Sequence, residues 1–453
     1  MPTYGRRKIT VPAEKIDESN IVDIIGEAST IHQANAAEID YLYNYYRGEQ
    51  DILNRTKTYN TSVLNKIVEN RAYEIVSFKK GYIVGEPIQY TAVNKEKAEA
   101  VAEFNRIMEL VGKEEKDISL FEWIFIAGTA FMAALPEDAE DLPDSAPLVL
   151  DVVDPRNAYA IYSSQIGGRH LATAYLYTDA EGVEHSYVYT PNKIYDVADD
   201  EYTVKDNPIG LIPIIEYPAN NSRLGSFEVC TELLNAINTL DSNRLDGIEQ
   251  FIQSLLVLTN VELEDGEDAT TIKEKGLLLL KSIGENKAEI DLISSQLDQS
   301  QAQTLKNDLY NAVLTICSMP NRNSGNGDTT GIAVVYRDGW SAAETSAKAT
   351  ESMYKRSDTA MRRVICTILT QRGSIPDLTA ADIVCNFTRN NYDNLSSKVT
   401  ALINMLGCDW IDRHYAYRAS GLFVDSEEAC LAGIKFHEEQ AAAETETETE
   451  ATV

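Results

Sequence analysis

Apolar positions recur at helical spacing through most of this chain, with one long interruption. In "NIVDIIGEASTIHQANAAEIDYLYNYYRGEQ", Ile21, Ile24, Ile25, Ile39, Leu42 and Tyr46 share one helical face, and Gly48 supplies a stop. "TSVLNKIVENRAYEIVSFKKGYIVGEP" repeats the pattern with Val63, Ile67, Ala72 and Val76, then ends at Gly85 and Pro87. "IQYTAV" alternates like a strand, and two further helical stretches are predicted around 94–111 and 115–130. The interruption covers residues 148–217. There "PLVLDVVDPRNAYAIYSS", "HLATAYLYTD", "HSYVYTPNKIYDV" and "IPIIEYP" read as short strands split by turn residues, predicting a small antiparallel sheet.

The helical period returns at Ser226, an N-cap candidate. It continues through Val229, Leu233, Ile237, Leu240, Ile248, Phe251, Ile252, Leu255 and Leu256. Residues 259–297 are mixed: strands are predicted at "NVELE", "GLLLLKS" and "AEIDLIS", and a short helix at "DATTIKEK". A second helix runs from about Gln299 to Cys317 and stops before Pro320. A Gly- and Asn-rich stretch, "SMPNRNSGNGDTTGIAVVYRDGW", leads to a third long helix. Ser341 and Glu344 fit a capping box at its start, and Gly373 closes it. After a strand at "ADIVCNF", three short helices fill 394–440. The tail "AAAETETETEATV" is acidic low complexity, predicted to be disordered. The order predicts an α+β, mostly helical fold.

Composition narrows the function classes. The chain has 453 residues, 44% hydrophobic and 25% charged, as folded soluble proteins do. No apolar run approaches the roughly 18 residues of a membrane span, and the basic start "MPTYGRRKITVPAEKIDESN" has no apolar core of a secretory signal. Six scattered Cys without a C-x-x-C point to free thiols and synthesis in a cytoplasm. The net charge of −31 serves solubility, and equally suits a surface that handles DNA without adhering to it.

The chemical motifs are negative. Gly325, Gly327 and Gly331 give G-x-G-x-x-x-G rather than a dinucleotide fingerprint. No Lys lies between Lys306 and Lys348, so there is no Walker loop, and a helix rather than a buried strand precedes the stretch. The five His are dispersed, with no H-E-x-x-H. "VELEDGEDA" clusters carboxylates without EF-hand spacing, and Asp151 and Asp154 bracket a strand end rather than a paired-carboxylate site. The residues give no positive sign of an enzyme, a metal or a cofactor.

What remains is the order of parts: an α+β body, a long helix, a small insert, a second helix, a Gly/Asn loop, a very long helix and a helical tail. Helix, insert and helix together suggest a stalk whose apolar faces need lateral partners. The chain resembles the portal proteins of tailed double-stranded DNA phages, in the Gp6-like family of phage SPP1. The likeness lies in "YLYNYYRGEQDILNR" (41–55), "NKIVENRAYEIVSFKKGYIVGEPIQY" (65–90), "VVDPRNAYAIY" (152–162), "LIPIIEYPANNSRLGSFEVCTELLNAINTLDSNRLDGIEQF" (211–251) and "NFTRNNYDN" (386–394), spanning about 40–440.

The resemblance implies a division into parts. Residues 1–225 would be the wing, 226–258 the first stem helix, 259–298 the clip and 299–318 the second stem helix. Residues 319–340 would be the tunnel loop, 341–373 the long wing helix, 374–390 a wing strand, 391–440 a helical crown and 441–453 a disordered acidic tail. It further implies a homo-dodecamer at one capsid vertex of the virion, with double-stranded DNA passing through its channel during packaging and ejection. The expected partners are the terminase large subunit, the head-tail adaptor, and the major capsid and scaffold proteins, with no membrane, no cofactor and no catalytic residue. Arg322, Asn323, Asn326, Thr329, Thr330 and Arg337 would line the channel, the arginines touching phosphates. Two rivals are a metal-dependent nuclease or phosphotransferase built on Asp151, Asp154 and Glu264, and another oligomeric head-tail component such as an adaptor.

Overall fold

The computed structural model describes residues 5–58, 63–137, 146–198, 201–252, 255–259, 261–262, 281–282, 289–293, 299–321, 339–389, 395–423 and 426–450. The chain divides into two compact units: 1–47 with 71–230 and 314–453, and 48–70 with 231–313.

The larger unit begins with β1 (Ile9–Val11), α1 (Ile21–Arg47), α2 (Arg71–Val84), β2 (Gln89–Ala92), α3 (Ala98–Leu110) and α4 (Lys113–Ala127). Strands follow: β3 (Thr129–Pro136), β4 (Leu148–Val153), β5 (Ala158–Ser163), β6 (His170–Thr178), β7 (Glu184–Tyr189), β8 (Lys193–Ala198), β9 (Glu201–Asp206) and β10 (Ile214–Pro218). The expected single sheet is two. One runs β1-β5-β6-β7-β8-β9, with β1 parallel to β5, and the other runs β10-β3-β4. Strand β3 starts where the sequence extends a helix, because Gly128 ends α4 in the left-handed region (φ 75°). The apolar face of α1, with Ile21, Ile24, Ile25 and Ala28, packs on the first sheet against Tyr159, Ile161, Ala172 and Val188.

The smaller unit holds α5 (Thr231–Ile252), β11 (Leu255–Thr259), β12 (Val261–Glu262), β13 (Lys281–Ser282), β14 (Glu289–Ile293) and most of α6 (Gln299–Ile316), whose last turn from Leu314 belongs to the larger unit. β11 pairs antiparallel with β14 and β12 with β13, so α5 and α6 leave one end of the same ladder. The helix predicted through 258 thus ends at Ile252, and "LLVLT" is strand. Lys306 of α6 reaches Asp241 of α5 at 2.8 Å and Glu69 at 2.6 Å.

The helical period expected at Val63 and Ile67 is absent, and helix starts only at Arg71. Asn238, Ser242 and Asp246, one turn apart on α5, accept the backbone N–H groups of Glu69, Ile67 and Asn65 at 2.8, 3.0 and 2.8 Å. Four helical residues rise about 6 Å, nearly the reach of two extended ones. An extended strap therefore docks in register where an independent helix was expected. Lys57 and Arg55 also pair with Asp246 at 2.5 and 2.9 Å. Against the opposing effect of burial, Lys57 and Asn65 hold its carboxyl at about 2.

The larger unit resumes with α7 (Trp340–Gln371), β15 (Ile383–Asn386), α8 (Leu395–Leu406), α9 (Arg413–Ser420) and α10 (Ser426–Glu450), with β15 paired to β2. Helix α10 runs through "ETETETE" to Glu450, where composition predicts disorder; its Ala and Glu are strong helix formers. Ser226 does not cap α5: its N–H and hydroxyl both donate to the Phe125 carbonyl.

Candidate functional site

The Gly/Asn stretch carries the candidate site. Its feet are described, while Arg322, Asn323, Asn326, Thr329, Thr330 and Arg337 lie outside the described residues, as do Gly325, Gly327, Gly331 and Glu264. At the first foot, Ser318 turns left-handed (φ 54°) and Met319 N–H donates to the Leu314 carbonyl at 2.8 Å, closing α6. The Cys317 thiol is buried there, 3.5 Å from that of Cys230.

At the second foot, Gly339 (φ 86°) precedes α7. A Cβ there would lie 3.4 Å from the Met319 carbonyl oxygen and 3.5 Å from Pro320 Cα, so the two feet stand side by side. Trp340 then packs on Phe78 and Tyr82 of α2, with ring centroids 6.1 Å apart in each case.

The expected Ser341–Glu344 capping box is not formed. The N-cap is Gly339, without a side-chain cap bond. Glu344 instead accepts from the Tyr82 hydroxyl at 2.9 Å and pairs with Arg389 at 3.1 Å. Arg389 also pairs with Glu351, two turns further along α7. Burial alone would raise the Glu344 carboxyl; Arg389, Tyr82 and Lys348 overcome it and hold the carboxyl below its usual range. The Tyr82 phenol is pushed up to about 12, by burial first and then by Glu344. The residues that flank the stretch are therefore held by aromatic rings and ion pairs. Sequence reasoning missed Arg389 and Glu351, because nothing local relates residue 389 to a helix at 344–351.

The other candidate carboxylates among the described residues form ion pairs. Asp151 accepts from Lys116 at 3.0 Å, and Asp154 takes the Arg156 guanidinium at 2.7 and 3.1 Å. Among the described residues no three His, Cys, Asp or Glu side chains converge as a metal site. Tyr43 stacks on Trp123 at 5.0 Å, Tyr45 on Phe227 at 5.9 Å and Tyr46 on Tyr73 at 5.6 Å, so these three rings pack within the larger unit. No helix of the described residues is long and apolar enough to cross a membrane.

Residues 26–452 match the model of one family, described as phage portal protein, SPP1 Gp6-like. The chain belongs to that family. It is a portal protein. A search of curated proteins found no match. Solved structures similar to this portal chain include the neck of an empty GTA particle computed with C6 symmetry (TM-score 0.45, 11% identity, 78% of this chain and 90% of that one). Another is the neck of a native GTA particle computed with C12 symmetry (TM-score 0.43, 9% identity, 79% and 91%). A third is the virion of a native gene transfer agent particle (TM-score 0.41, 10% identity, 78% and 89%).

Proposed function

We propose that twelve copies of this portal chain form a ring at one capsid vertex, through which double-stranded DNA enters and leaves. The observation that carries this reading is the segment 322–338, rich in Gly and Asn and held at adjacent feet on a braced socket. Such a segment lines a channel: Gly and Asn tolerate several backbone conformations, and short polar side chains slide past phosphates without reading sequence. Arg322, Asn323, Asn326, Thr329, Thr330 and Arg337 are the lining residues. α5 and α6 act as the stem, and the paired strands β11–β14 as the clip. The clip meets the terminase large subunit during packaging and the head-tail adaptor afterwards, while major capsid and scaffold proteins hold the ring in its vertex. The motor's ATPase is terminase's, so the ring needs no catalytic group.

Negative-stain microscopy with a solution mass, in the presence of scaffold and capsid protein, tests the reading. Rings with a central hole and about 600 kDa, twelve copies of 50.3 kDa, are expected. A chain that stays monomeric under those conditions would overturn it.

A further inference from the structure

A cleft of about 520 Å³ opens in the larger unit between the start of β1, the β5–β6 turn, β10 and α7. Its lining is cationic: Lys8, Arg169, Arg223 and Arg356 face a single carboxylate, Glu216. That carboxylate is already committed. Arg223 grips it at 2.6 and 2.8 Å, and the Tyr162 and Thr129 hydroxyls donate to it at 2.6 and 2.9 Å. Lys8, Arg169 and Arg356 are all exposed, and none pairs with a carboxylate among the described residues. The Lys8 ammonium stands 4.4 Å from the centre of the Tyr162 ring. Burial first, then the neighbouring Arg223 and Arg356, push its pKa below the ordinary lysine value, with Glu216 opposing them.

This excess runs against the rest of the molecule. The chain has 71 acidic and 40 basic residues, so at least 31 carboxylates have no cation of their own to meet. In a ring of identical chains, every neighbouring copy brings the same surplus of carboxylates. A nucleic acid would have to cross their repulsive field to reach the cleft. A cyclic ring joins unlike surfaces of successive copies, so one cationic cleft per copy suffices for every interface.

We propose that Lys8, Arg169 and Arg356 form the receiving half of an interface between copies, binding carboxylates of a neighbouring copy of this chain. The inference rests on the ring reading above. It gives strongly acidic subunits a local complementary contact that fixes their register.

The test assembles rings from an equal mixture of ¹⁴N- and ¹⁵N-labelled full-length chains and couples them with a water-soluble carbodiimide. Mass spectrometry is expected to find Lys8 joined to Asp or Glu in mixed-isotope peptide pairs. In parallel, the R169E/R356E double variant, altered only at exposed positions, is expected to lower ring yield about tenfold at low salt while the free chain unfolds as wild type does. Rings in which Lys8 couples only within its own chain, with the variant assembling normally, would overturn the inference and leave the ring reading standing. Protection of Lys8 from acetylation by a short DNA duplex but not by ring formation would overturn it in favour of phosphate recognition. Absence of both rings and mixed-isotope pairs would remove the ring reading and this inference with it.

Discussion

Lys113→Met should destabilise the larger unit more than any surface change, through a charge left without its partner. Lys113 opens α4, and its ammonium lies 2.6 and 2.7 Å from the two carboxylate oxygens of Asp117, one turn on. Tyr354 of α7 closes the cluster, with its hydroxyl 2.9 Å from Asp117 Oδ1 and 3.1 Å from Lys113 Nζ. Lys113 is 5% exposed and Asp117 is 3% exposed, so water replaces neither partner. Burial pushes the Asp117 carboxyl above its ordinary value, and only Lys113 and Tyr354 counteract it. Methionine keeps the length of the lysine stem and removes the charge. The expected cost at pH 7 is about 3–5 kcal/mol, the range for breaking a buried pair. The double change K113M/D117L removes both charges and leaves only the Tyr354 hydroxyl short of a partner, about 1–2 kcal/mol. The pair should therefore be strongly non-additive. A carboxyl with a raised native pKa takes up a proton in the folded state before the unfolded one, so the K113M penalty shrinks as the pH falls from neutrality toward that raised value. Urea unfolding followed by Trp123, which sits on α4, measures both effects. A K113M unfolding free energy within about 0.5 kcal/mol of wild type, or a penalty that does not shrink as the pH falls, would refute the reasoning.

Gly128→Ala should fail to give stable protein. Its Cβ would sit 2.1 Å from the Arg223 carbonyl oxygen and 2.6 Å from the Leu224 carbonyl carbon, both backbone, at φ 75°. The expected loss exceeds about 3 kcal/mol, read as insoluble expression, and soluble protein with an unchanged melting temperature would contradict it. Arg389→Met removes the cation that Glu344 and Glu351 share, leaving Glu344 with Tyr82 and Lys348. About 2 kcal/mol is expected, below the fully buried range because Glu344 is partly exposed, and restoring it with Lys at 389 should recover only part. His185 bonds Asp196 at 2.8 Å and Asp179 at 3.1 Å, and these carboxylates raise its pKa. Its stabilisation is present below the ordinary histidine value and lost as the pH rises through the raised one. Wild type and H185Q should therefore converge in melting temperature at alkaline pH, and a constant difference would count against the ion pair.

Local signals were strong wherever one face of an element met one core. The 3.6 period gave α1, α6 and α7 nearly to the residue, and Gly48 and Gly373 end helices in the left-handed region as their type predicts. They failed where a polar partner from elsewhere decided the backbone. Residues 63–70 carry a helical pattern, yet they are extended because Asn238, Ser242 and Asp246 take their N–H groups. "LLVLT" is equally apolar as helix or strand, and its ladder with β14 makes it strand.

By itself the sequence determined the α+β order, the helix–insert–helix succession, the want of catalytic motifs and, through several spaced segments, membership of the portal family. Those properties depend on periodicity, composition and order, which are written along one dimension. Only the tertiary structure decided that β1 joins its sheet in parallel, and that Glu344 braces Arg389 and Tyr82 rather than capping its own helix. It alone brought Lys8, Arg169 and Arg356 to one cleft. Each of these is a pairing between residues far apart in the chain. Which distant charge or strand edge a residue meets is fixed by the packing of whole elements, and no local pattern carries that information.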